Sequence, residues 1–240
     1  MHDSSRSDPL RRRLADRELT GRRDVIRGLV GLGVGGLALA APPSAGFLRR
    51  MLGGDALAQT CELSNELTEG PYYIEGRPVR RNVVEDRPGI PLWLSLTVLD
   101  ASTCAALPGA TVEIWHADAA GSYSGFEGVE NDSFLRGRLS AGAAGVATFR
   151  TVYPGWYRGR TPHIHVKVSL GGTEVHTGQL FFDEAVTAAV YAREPYLARG
   201  TQDTTNAEDG IFASGGAESV LTPAARGKGF WGKTSLVVAT

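Results

Sequence analysis

The strongest local constraint in the chain is the run from Ile164 to Leu170, Ile-His-Val-Lys-Val-Ser-Leu, where branched and aliphatic residues alternate with polar ones. A period of two marks a half-buried strand, and Pro162 just upstream biases Thr161 towards extended backbone. Ile164, Val166, Val168 and Leu170 then face a core, and His163, His165, Lys167 and Ser169 share the opposite face. Imidazoles two apart on a strand can reach one point in space. On that spacing alone, a solvated polar face is favoured over the beginning of a metal site. The neighbourhood favours the second: Tyr153, Trp156, Tyr157 and Arg160 all lie within the ten residues before the pair.

The same alternation recurs elsewhere. Trp93 to Leu99 reads as a strand with Leu94, Leu96 and Val98 inward, Thr111 to Trp115 as a second, and Val146 to Val152 as a third. The turn Gly171-Gly172 leads to a partner strand from Glu174 to Phe182. Asp183-Glu184 caps a short helix expected to run to about Arg193, and Lys233 to Val238 forms a last strand. Residues 62–90 lack periodicity and read as an irregular arm, residues 129–136 as polar and irregular, and residues 194–216 as turn-rich. Short strands separated by turns, with little helix, predict an all-β fold: one β-sandwich domain over residues 59–240.

Residues 1–58 have a different character. They hold ten arginines, no lysine and six acids, a net of +4; with a total of −1, the remainder carries −5. A mildly acidic body argues against nucleic acid as a partner. Arg11-Arg12-Arg13 and Arg22-Arg23, a Gly- and Ala-rich apolar stretch from Val25 to Ala41, and Ala56-Leu57-Ala58 make up the three parts of a cleavable leader. Gly21-Arg22-Arg23-Asp24-Val25-Ile26 resembles a twin-arginine signal, an address rather than an anchor. The expectation is export to the periplasm or beyond, with no stable membrane insertion once the leader is removed. The two cysteines of the chain, Cys61 and Cys104, are then expected to pair as a disulfide.

Besides His163 and His165, only His116 and His176 remain in the body as imidazole donors, with carboxylates at Glu69, Asp118 and Asp183. Two histidines with a carboxylate would suit zinc or ferrous iron. Two histidines with two tyrosines would favour ferric iron, because phenolates are hard, strongly donating anions. The stretch Thr68-Glu69-Gly70-Pro71-Tyr72-Tyr73 either packs on the body or borders a pocket.

Two segments agree in type, order and spacing with one family. Glu113-Ile114-Trp115-His116-Ala117-Asp118-Ala119-Ala120-Gly121-Ser122-Tyr123-Ser124 is followed by Tyr153-Pro154-Gly155-Trp156-Tyr157-Arg158-Gly159-Arg160-Thr161-Pro162-His163-Ile164-His165. Together they resemble the intradiol ring-cleavage dioxygenases, the catechol and protocatechuate dioxygenases of non-haem ferric iron, and more closely their secreted branch. The resemblance runs from about Thr68 to Asp209. It implies four Fe(3+) ligands, Tyr123, Tyr157, His163 and His165, with Tyr157 as the axial tyrosinate that leaves when substrate chelates. Arg160 and Gln179 match the family's supporting arginine and glutamine. The implied partners are a catecholic substrate and O2, and the implied product is a cis,cis-muconate-type diacid. No such role carries over to His116, His176 or Tyr153. Asp118 reads as a hydrogen-bond acceptor within its own loop, and Trp115 and Trp156 as core or pocket wall.

Two other readings compete. One is a zinc or ferrous enzyme built on His163, His165 and a carboxylate; the other is a secreted β-sandwich binding module. The sequence sets neither the particular catechol nor the oligomeric state.

Overall fold

A computed structural model of the chain describes residues 61–126 and 128–240. The leader expected over residues 1–58 lies outside the described residues. Nine strands among the described residues form two sheets, and the expected β-sandwich is found. The strands are β1 (Pro91–Asp100), β2 (Thr111–Trp115), β3 (Arg136–Ser140), β4 (Val146–Val152), β5 (His163–Leu170), β6 (Thr173–Phe182), β7 (Val220–Leu221), β8 (Ala224–Arg226) and β9 (Gly229–Val238). One sheet has the order β4-β1-β9-β8 and the other β3-β2-β5-β6-β7. Helix α1 (Glu184–Tyr191) starts where Asp183 accepts hydrogen bonds from the backbone N–H groups of Ala185 and Val186, as its position before an apolar run predicts. Helix α2 (Gly210–Ala213) is a single turn capped by Asp209. No helix among the described residues is long and apolar enough to cross a membrane.

The core lies between the sheets. Leu92, Leu94, Leu96 and Val98 of β1 are fully buried, and they meet Val112, Ile114, Ile164, Val166 and Val168 from the other sheet. Each fully buried aliphatic side chain contributes roughly 1.5–3 kcal/mol against exposure, so period-two patterning largely determines which way each strand faces. Tyr153 belongs to this core. Its hydroxyl shares a hydrogen bond with Thr187 and its ring packs on Phe182, consistent with its exclusion from the site.

The outer face of the five-stranded sheet is not solvated. Register places Arg136, Trp115, His165 and Gln179 in one row across β3, β2, β5 and β6, and Arg138, Glu113, Lys167 and Thr177 in the next. His163, His165 and Lys167 are nevertheless all buried, because the irregular arm lies over them. The arm is held by polar clamps: Leu67 N–H donates to Thr177 O at 3.0 Å, Gln179 Nε2 to Thr68 O at 2.8 Å and Arg136 Nη1 to Tyr72 O at 2.7 Å, while Lys167 Nζ pairs with Glu69. At the arm's start, Cys61 and Cys104 form the expected disulfide, with Cα atoms 5.4 Å apart. Strand β3 departs from the irregular reading given to its surroundings. Arg136-Gly137-Arg138 has no strand pattern, but β2 offers an unpaired edge and β3 fills it.

Candidate functional site

Two loops and one strand bring the site together. After β2 the chain turns sharply, and Asp118 Oδ1 accepts N–H bonds from Ala120 at 2.9 Å and Ser122 at 3.0 Å, the loop-stabilising role its sequence position suggested. The Pro154-Gly155 segment packs against this turn so closely that a Cβ on Gly155 would lie 2.2 Å from Asp118 O. Only glycine permits that approach. The contact brings Tyr123 from one loop and Tyr157 from the other to the start of β5. Arg136 secures the Tyr123 loop from below, donating to Ser124 O and Oγ, and burial pulls its guanidinium down to about 10.

The four side chains converge on one point. His163 Nε2 lies 3.2 Å from His165 Nε2, 3.4 Å from Tyr123 Oη and 3.3 Å from Tyr157 Oη. His163 Nδ1 is 2.7 Å from Thr161 O, a carbonyl that can only accept, so Nδ1 carries the proton and Nε2 presents its lone pair. Donors bound at ~2.1 Å to one tetrahedral ion lie about 3.4 Å apart, which is the spacing found here. The donor set therefore fits a metal ion, and its two phenol oxygens favour a hard, highly charged one. Among the described residues no third His, Cys, Asp or Glu joins the pair. Glu69 is taken by Lys167, and Asp118 serves its own turn.

Electrostatics separate the two phenols. Burial raises Tyr123 well above an ordinary tyrosine, and Tyr157 with it, although the Arg160 guanidinium opposes the shift at Tyr157. Tyr123 is buried under Tyr72, whose ring stacks on it at 4.3 Å and 9°, whereas Tyr157 is partly exposed. Burial holds His163 down to about 3 and His165 far below the usual imidazole range, so both rings are neutral. His165 stacks on Trp115 at 4.8 Å and 6°, which makes Trp115 a wall of the site.

Arg160 Nη1 donates to Tyr157 Oη at 3.2 Å, and Nη2 to Gln179 Oε1 at 2.6 Å. All six residues expected at the site are thus in one cluster. His116 and His176 are elsewhere. His116 is buried with Nδ1 on Ala117 O and Nε2 on Thr151 Oγ1, and His176 sits opposite Val168, on the inward side of β6. Sequence reasoning did not select Asp209, which accepts from Arg160 Nε at 2.8 Å, or Arg136, or Tyr72 as a partner of Tyr123. For Asp209 the only local signal was an acid before a short apolar run, which reads as a helix cap.

Comparisons with known proteins fall in line with this geometry. Residues 68–197 match the family model described as Dioxygenase. The chain is similar to the solved structure of an intradiol ring-cleavage dioxygenase from Tetranychus urticae, with 38% identity and a TM-score of 0.70 over 75% of this chain and 95% of that one. It is also similar to the dioxygenase domain of a dioxygenase carbohydrate-binding protein fusion from Streptomyces sp. SirexAA-E, at 30% identity and a TM-score of 0.57 over 75% and 99%. A chlorocatechol 1,2-dioxygenase of Cupriavidus pinatubonensis is 29% identical over 147 residues, 52% of this chain and 57% of the relative. The chain spans about half the length of the curated relatives it matches.

Proposed function

The chain belongs to the intradiol ring-cleavage dioxygenases, and on that premise we propose that it uses O2 to cleave a catechol-type ring between its two hydroxylated carbons, giving a cis,cis-muconate-type diacid. The observation that carries this reading is the convergence of Tyr123, Tyr157 and His165 on His163 Nε2 at 3.2–3.4 Å. Ferric iron held by these four residues would supply the Lewis-acidic, redox-active centre for catechol and O2. The donor charges suit it: two neutral imidazoles and two phenolates partly offset a trivalent ion and leave it attractive to a catecholate.

The side chains then divide the work. Tyr123, buried beneath Tyr72, is the fixed phenol. Tyr157 is the more exposed of the two and carries an Arg160 hydrogen bond, so its Oη is the group placed to swing outward and take a proton from the incoming catechol. The Arg160 guanidinium beside it favours negative charge on substrate oxygens at the same place. Trp115, stacked on His165, and Tyr72 of the arm, stacked on Tyr123, cover the inner side of the site. Among the described residues, no carboxylate joins the pair as the competing divalent-metal reading requires.

Export through the leader over residues 1–58 belongs to the same proposal. The twin arginines support it, as does the Cys61–Cys104 disulfide, since such bonds persist in oxidising compartments. The functional reading is tested by visible absorption of the iron-loaded protein before and after anaerobic addition of catechol, followed by oxygen uptake on admission of air. Tyrosinate charge-transfer colour, a longer-wavelength band with catechol and ring-opened product are the expected results. A protein that stays colourless with ferric iron and consumes no oxygen with any catechol would overturn it.

A further inference from the structure

Asp209 is a fully buried carboxylate, lies beyond the residues matched by the family model, and has all its acceptor capacity in use. Oδ1 accepts from Ile211 N at 2.8 Å and Phe212 N at 3.1 Å, which caps α2. Oδ2 accepts from Arg160 Nε at 2.8 Å and Thr161 N at 3.0 Å. One oxygen therefore does a structural task that any good cap could do, and the other reaches the residue that touches Tyr157.

A guanidinium is planar, so two anchors on different nitrogens determine where the third points. In Arg160, Asp209 holds Nε and Gln179 Oε1 holds Nη2, which leaves Nη1 aimed at Tyr157 Oη, 3.2 Å away, and at His163 Nε2, 3.5 Å away. Gln179 is itself oriented by Thr68 O of the arm. With Gln179 alone, the guanidinium could rotate about its single anchor and lose Tyr157. A buried carboxylate is costly unless paired, and four N–H donors, one of them from a cation, offset the cost here.

We propose that Asp209 is a positioning residue that acts through Arg160, holding the guanidinium plane so that Nη1 meets Tyr157 Oη and the substrate oxygens that arrive beside it. This deepens the dioxygenase reading and rests on it for its kinetic consequences, but the orientation itself can be tested without turnover.

Asp209→Ser keeps the cap and removes both Oδ2 contacts, to Arg160 Nε and to Thr161 N, and the double variant with Arg160→Ala tells these two apart. A serine caps a helix about as well as aspartate, yet is too short to reach Arg160. Asparagine is the poorer choice, since its amide N–H2 would confront two N–H donors at one oxygen or the other. In the iron-loaded full chain, Asp209→Ser is expected to lower kcat about tenfold or more with a smaller change in KM, and to shift the tyrosinate absorption. Arg160→Ala is expected to lower kcat about 100-fold, the scale of losing one preorganised donor. If Asp209 works through Arg160, adding Asp209→Ser to Arg160→Ala changes kcat by no more than about twofold. Multiplying losses, or a serine variant within about twofold of wild type in both kcat and spectrum, would overturn the proposal.

A second measurement needs no activity. The Arg160 Nε–H resonance, assigned by its absence in Arg160→Lys, should be resolved and protected from solvent exchange in the wild-type protein before paramagnetic iron is loaded. Exchange as fast as that of exposed arginines would also overturn the proposal. A protected resonance in a protein that cleaves no catechol would leave Asp209's role standing while the dioxygenase reading fell.

Discussion

His163 Nε2 and His165 Nε2 face one another at 3.2 Å, and Thr161 O engages the other nitrogen of the first ring while no described residue engages the other nitrogen of the second. Two imidazole nitrogens aimed together, with two phenol oxygens beside them, form a mutually repulsive set of lone pairs unless protons or a cation lie between them. Burial disfavours protonating the rings. Cation binding should therefore stabilise the fold strongly. Removing iron with a chelator is expected to lower stability by about 3–4 kcal/mol where iron exceeds its Kd by 100- to 1,000-fold, measured by denaturant unfolding with and without ferric iron. Coincident curves would argue against an ion at this site.

Tyr157→Phe and Tyr123→Phe should differ. Loss of Tyr157 removes the partly exposed phenol that Arg160 supports, and is expected to shift the tyrosinate absorption and lower kcat while leaving stability within about 1 kcal/mol. Loss of Tyr123 removes the buried hydroxyl at 3.4 Å from His163 and is expected to weaken iron retention more. Metal content after dialysis, measured beside the spectra, distinguishes the two.

His116 gives the fold an acid limit. Burial holds it down to about 4, against about 6.5 in an unfolded chain. Between these values the unfolded state binds more protons, so stability rises with pH there; the contribution is complete above about 6.5 and is lost as pH falls through about 4. It amounts to roughly 3 kcal/mol. His116→Gln retains an acceptor for Thr151 Oγ1, and should flatten the fall of unfolding free energy between pH 6.5 and pH 4. An unchanged slope would show that other groups set the acid limit.

Gly70 brings the arm down onto His165. Its φ is +73°, and a Cβ there would lie 3.3 Å from His165 Cε1. Gly70→Ala is expected to cost about 1–2 kcal/mol and to push the arm outward, raising KM more than it lowers kcat. Steady-state kinetics beside a thermal melt would check it.

The disulfide closes a loop with a sequence separation of 43. On loop entropy, replacing both cysteines by serine should cost on the order of 4 kcal/mol. Because the arm starts at Cys61, residues 62–73 should become more susceptible to protease than β1 to β9 under reducing conditions. Equal protection of the arm with and without reductant would show that its clamps to the sheet suffice.

Much of the site was legible from sequence because its parts are local. His163 and His165 share a face through the period of a strand, Tyr157 and Arg160 lie one tight turn upstream, and Gln179 follows on the paired strand opposite His165. Tyr123, Tyr157, Arg160 and Gln179 took their roles from the resemblance to the family, and Tyr123 depended on it most, since a lone tyrosine in a loop carries no pattern. Strand β3 was not legible, because its residues are strand-forming only where β2 presents an edge.

By itself, then, the sequence determined the sandwich and the strand faces, which follow from side-chain period over a few residues, while the donor set came from the likeness of two segments to one family. Only the tertiary structure decided that the histidine face is buried by an arm from residues 61–90, that Tyr72 stacks on Tyr123, and that Asp209 meets Arg160 across 49 positions. Those contacts join segments with no shared periodicity. They form because a folded sheet leaves buried donors and acceptors that must be satisfied, and the chain supplies partners from wherever its path returns.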